Sequence, residues 1–109
     1  MDPLAREIAR RAYALDPAGL DAALGSLGLS SWPRTVEVLS FQGWHTGGGC
    51  MMLVAELPGT GGHQVGITDG EADFPRDAES FWVGILDPDG DELYFMFVAG
   101  GQRQGHLQV

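Results

Sequence analysis

The spacing of apolar residues changes once along the chain, near Arg34, and that change limits the folds open to it. Before Arg34 the apolar residues recur every three or four positions, the period of a helix with one buried face. After it they alternate or run continuously in short stretches bounded by Gly, Pro and Asp, which is the pattern of strands. Helices first and strands second predict an α+β domain, with the helices laid on one face of a single sheet.

Asp2-Pro3 and Asp16-Pro17 are one helix-start signal used twice: the Asp caps orphan amides and the Pro takes the first helical position. The first helix is expected over about 3–15, with Leu4, Ile8, Ala12 and Leu15 on one side and Arg6 and Arg10 on the other. The second is expected over about 17–27, striped by Leu20, Ala23, Leu24 and Leu27 and ended by Gly25 or Gly28. Together they form a helical hairpin, and Ser30-Ser31-Trp32-Pro33 crosses from it into the second half.

Strands are predicted at about 35–41, 50–57, 64–69, 81–86 and 93–98. Cys50 to Ala55 is the most continuously apolar run, and Pro58-Gly59-Thr60-Gly61-Gly62 after it is a turn of hairpin length. Asp87-Pro88-Asp89-Gly90-Asp91-Glu92 is a second tight turn. Residues 70–79 are polar and acidic, with Phe74-Pro75 as an anchor to the core, and 100–109 carry no pattern and are expected to be mobile. Short connections favour antiparallel neighbours. The expected fold over 1–109 is one domain, an N-terminal helical hairpin packed on a five-stranded antiparallel meander sheet.

That fold has too little cover. The strands at 81–86 and 93–98 are apolar on both sides, whereas two short helices cover one face. Either the sheet curls on itself or its second face is an interface. Periodicity leaves open which set faces outward, Trp82 with Tyr94 and Met96 or Phe81 with Val83 and Phe95.

Charge narrows the partners. Residues 1–34 balance four acids with four arginines, so the net charge of −9 resides entirely in 35–109. Between 69 and 92, nine acids stand against Arg76 alone, which opposes direct nucleic-acid binding because phosphate contacts need Lys and Arg. The chain has no lysine or asparagine, a bias expected of a high-GC genome. No apolar run approaches the roughly 20 residues of a membrane span. A single cysteine permits no internal disulfide, and Met1-Asp2-Pro3-Leu4 has no signal-peptide character, so a cytoplasmic location is expected.

Chemistry-bearing residues are few. His45 and Cys50 flank the loop Gly47-Gly48-Gly49 and are the candidates for a thiolate and its base if the chain is an enzyme. The competing reading makes Cys50 a small buried hydrophobe entering a strand. The loop precedes a strand and lacks the Gly-Lys-Ser/Thr ending of a phosphate cradle. His45, Cys50, His63 and His106 match no zinc spacing, and Asp87, Asp89 and Asp91 lack the glycine and glutamate of a calcium loop, so no metal or cofactor is expected. Trp44, Trp82 and Tyr94 are candidate interface anchors, and Asp73, Asp77, Asp89 and Asp91 a candidate rim for a basic partner.

Two stretches resemble known families. Asp87-Pro88-Asp89-Gly90-Asp91 is similar to the closing turn of vicinal-oxygen-chelate domains, but Tyr94 stands among Leu93, Phe95 and Met96 where that family places a metal-ligand Glu. Its activity is not carried over. Gly43-Trp44-His45-Thr46-Gly47-Gly48-Gly49-Cys50-Met51 with Ile67-Thr68-Asp69 resembles short uncharacterised proteins of actinobacteria and their phages. The resemblance brings no function, and implies a phage or mobile-element setting in which small acidic proteins act by occupying a partner. The expected function is protein–protein contact, with self as a homodimer or with a basic protein. The alternative is a small enzyme or ligand-binding domain centred on the His45–Cys50 loop.

Overall fold

A computed structural model of the chain describes residues 3–47 and 49–104. Among them are three helices, α1 (Pro3–Leu15), α2 (Pro17–Gly25) and α3 (Trp32–Glu37). Six strands follow, β1 (Gln42–Gly47), β2 (Cys50–Glu56), β3 (Gln64–Thr68), β4 (Phe81–Leu86), β5 (Glu92–Ala99) and β6 (Gln102–Arg103). All pair antiparallel in chain order, so the α+β class and the antiparallel sheet preceded by helices both hold. No described helix is long and apolar enough to cross a membrane.

The helical layer is built from small contacts. α1 buries Ala5, Ile8, Ala9 and Ala12, a stripe at helical spacing whose alanines let its backbone come close to the sheet. α2 starts where the Asp16 carboxylate accepts the Gly19 N–H at 3.1 Å, and it buries Leu20 and Leu24. The Asp16 carboxylate also accepts the Tyr94 hydroxyl at 2.8 Å and lies 3.5 Å from the Arg103 guanidinium. One residue therefore fixes the start of α2 to β5 and β6.

The strand expected at 35–41 is a correction. Its first half is α3, because Trp32, Thr35, Val36 and Leu39 recur at helical spacing and are all buried. Pro33 sits in the first turn of that helix, the Trp32 backbone N–H donates to Asp21, and its indole N–H donates to the Ala9 carbonyl. Arg6 donates to the carbonyls of Val36, Glu37 and Leu39, satisfying the last turn of α3 from α1.

The sheet has six strands where five were expected, and both additions lie in stretches taken as loop or tail. The glycine-dense segment forms β1, with Trp44 opposite Met52 and His45 opposite Met51. β6 is made by Gly100-Gly101, both at positive φ (60° and 77°), a turn that matches the twist of the strands it joins. The tail expected to be mobile thus begins as an ordered hairpin, and 105–109, with His106, lie outside the described residues.

One face of the sheet carries Val65, Ile67, Phe81, Val83, Ile85, Tyr94, Met96 and Val98, all buried under the helices in a single core cluster. Residues 69–80 wrap the end of that layer, where the Met51 N–H donates to the Ala72 carbonyl at 2.9 Å. Among the described residues, no helix lies on the opposite face.

Candidate functional site

Strand register decides what the uncovered face presents. Residues directly opposite one another in an antiparallel pair share a face. Trp44 lies opposite Met52, Thr68 opposite Trp82, and Trp82 opposite Phe97. Leu53 opposite Ile67 brings Met52 beside Thr68, so one row of side chains crosses five strands. The next row is Val54, Gly66, Gly84 and Phe95.

The two glycines of that row are filled by their neighbours. A Cβ on Gly84 would lie 2.2 Å from the Trp82 ring, and one on Gly66 would lie 2.6 Å from the Met52 sulfur. Trp82 therefore lies flat on the backbone of its own strand, stacked on Phe95 with ring centroids 6.5 Å apart and planes 16° from parallel. Met52 lies down in the same way over β3. The result is an open trough of about 750 Å³ with an apolar floor that includes Trp44, Met52, Trp82, Leu86 and Phe97. Trp44 is 49% exposed, the most accessible aromatic of the floor.

Carboxylates stand at both ends of the trough, Asp69 at one and Asp87, Asp89 and Glu92 at the other. The ends are about 16 Å apart, five residues of β3 at strand rise. Asp69 accepts the N–H groups of Glu71 and Asp73, and Asp87 accepts those of Asp89 and Asp91. These turn bonds hold the acids where they are.

The residues expected to form a site separate into groups. Trp44 and Trp82 are both on the trough. Tyr94 is not: it is 7% exposed on the helix-covered face, and burial followed by the Asp16 carboxylate pushes its phenol well above the ordinary range. Its place on the same face as Phe81 and Val83 corrects both of the face sets read from periodicity, since Trp82 shares its face with Phe95 and Phe97. Of the four rim acids, Asp89 borders the trough, and Asp91 is exposed in the same turn. Asp73 and Asp77 lie in the 69–80 wrap. Asp77 accepts the Glu79 and Ser80 N–H groups, which hold its carboxyl below the usual carboxylate range, the Glu79 bond more than the Ser80 bond.

His45 and Cys50 stand on opposite faces of the β1–β2 hairpin. His45 shares its face with Met51 and packs edge-on against Phe74, while Cys50 borders the trough beside Met52. The register thus does not pair the two residues proposed as a thiolate and its base across the hairpin. His63 is bound into the β2–β3 turn by the Thr60 carbonyl, 3.0 Å from its Nδ1. Among the described residues, no three His, Cys, Asp or Glu side chains come together as a metal site. Met52, Leu86 and Phe97 were missed as site residues, and the pairing of strands is the signal that places them.

Comparison of the chain with protein-family models, curated proteins and solved structures found no match.

Proposed function

We propose that this is a non-enzymatic binding protein whose uncovered sheet face holds a basic segment of another protein. An apolar side chain of the partner sits against Trp82 and Phe97, and its Arg or Lys groups reach the carboxylates at the two ends. The observation that carries this reading is the coincidence, on one trough, of an uncovered apolar floor with acids at both ends. Self-association through the same face would set one acidic rim against another, an arrangement that costs energy. A basic partner matches the field instead, and nucleic acid is repelled by it.

The test is a tryptophan-fluorescence titration with synthetic peptides carrying a central Leu between two Arg, set about 16 Å apart in extended conformation. Binding is expected to weaken as salt rises, to be lost when Glu replaces the Arg residues, and to fall at least tenfold in Trp82→Glu. Equal binding of the acidic peptide, or no effect of Trp82→Glu, would overturn the reading.

A further inference from the structure

We infer that β1 is a self-pairing edge, through which two copies of this chain join their sheets about a two-fold axis at Trp44. In an antiparallel ladder, successive residues point their N–H and C=O groups alternately to one neighbour and to the other. The Met51 N–H goes to the Ala72 carbonyl, on the side of β2 away from β1. His45, opposite Met51, and Gly43, opposite Leu53, therefore aim both backbone groups away from β2, while Gln42 and Trp44 use theirs within the ladder. Gly43 and His45 are exposed, so the outer edge of β1 offers two donors and two acceptors to water.

A second β1 running antiparallel, with Gly43 opposite His45 of the other copy, joins all of these groups reciprocally in four hydrogen bonds. Registers centred on Gly43 or on His45 pair only one of the two residues. In the Trp44-centred register each imidazole lies beside Gly43 of the other copy, over which the Phe74 ring stands 3.2 Å from where a Cβ would be, so the imidazole meets an aromatic ring there. Trp44 then faces its own copy as a close pair on the trough side, a favourable position for aromatic cross-strand contact. Its 49% exposure in the single chain is the surface this contact covers.

Charge selects a second copy over a foreign basic strand. β1, Gln-Gly-Trp-His-Thr-Gly, has no Asp, Glu, Arg or Pro in a chain of net charge −9. Edge strands are ordinarily guarded by charge, proline or a bulge; β1 has no charge or proline, and its one register shift, between His45 and Gly47, lies outside the segment 43–45 that pairs. A basic partner is drawn to the acidic trough, whereas two acidic copies meet with least repulsion along a neutral edge. The inference shares Trp44 with the trough floor but rests on the outer backbone edge of β1, which the trough reading does not use.

Sedimentation of the full chain at tens of micromolar tests it. The wild type is expected to be a dimer. Trp44→Glu and Trp44→Arg should each sediment as monomers with unchanged circular dichroism, and their equimolar mixture should re-form a dimer, because residue 44 opposes itself only at a two-fold axis. His45→Pro removes an outward N–H without touching the β1–β2 ladder, and should give a monomer that still binds the Arg-flanked peptide. A monomeric wild type, a dimer that survives both Trp44 changes, or a charge mixture that stays monomeric would each overturn the inference. If the Trp44 variants lose their fold, the His45→Pro result alone decides: a dimer overturns the proposal and a folded monomer sustains it.

Discussion

Asp16 ties three elements together: it caps α2, accepts the buried Tyr94 hydroxyl, and draws in Arg103 from β6. Asp16→Ala leaves a helix start uncapped and a buried hydroxyl without its acceptor, and should lower stability by about 3 kcal/mol in urea unfolding. The Gly19 N–H and the Tyr94 hydroxyl use different oxygens of Asp16, so Asp16→Asn keeps only one of the two acceptors and should lose about half of that. Tyr94 adds a dependence on pH. Its folded-state phenol titrates above the unfolded one, so the stability it contributes is present below about pH 10 and declines as pH rises further. Tyr94→Phe, at a cost of about 1 kcal/mol at neutral pH, should flatten that alkaline decline.

Among the elements, β4 has the most demanding sequence, because the flat seat of Trp82 depends on Gly84. Gly84→Val would force the indole off its own strand and away from Phe95. The expected result is a red-shifted tryptophan emission and at least a tenfold loss of peptide binding, with the helix-covered core unchanged because residue 84 faces the trough. Unchanged emission and binding would show that the seat is not needed. The same scale explains what was legible in the sequence. The helix start at Asp16-Pro17 and the two-sided apolarity of β4 and β5 are local signals, and both could be read directly, whereas Asp2 lies outside the described residues. Trp32, Thr35, Val36 and Leu39 carried a helical spacing that the mixture of Val and Thr disguised as alternation. Gly100-Gly101 is a hairpin turn that attracts notice only when a strand is sought after it. The content of each face was not legible, because it depends on pairing across strands, and an irregularity in the ladder between Ile85 and Leu86 lies beyond any single-strand pattern.

On the scale of the molecule, charge and layers are separated: the balanced helices cover one face, and the surplus carboxylates gather in the turns of the sheet. Self-repulsion at net −9 opposes compaction, so the melting temperature should rise by a few degrees between 10 mM and 150 mM salt, as the screening length shortens from about 30 to about 8 Å. A fall would mean that ion pairs such as Arg103 with Asp16 outweigh the repulsion. The layering also has a consequence for synthesis. Each strand pairs with its predecessor, but the helices made first rest on the last long strands: α1 lies on β4, α2 on β5, and the Asp16–Tyr94 bond spans 78 residues. Hairpins can therefore assemble as the chain emerges, while Ile8, Leu20 and Leu24 wait for a surface made far downstream, as the 78-residue span of the Asp16–Tyr94 bond measures. Until β5 is made the nascent chain exposes an apolar helical pair, a surface expected to bind holdase chaperones.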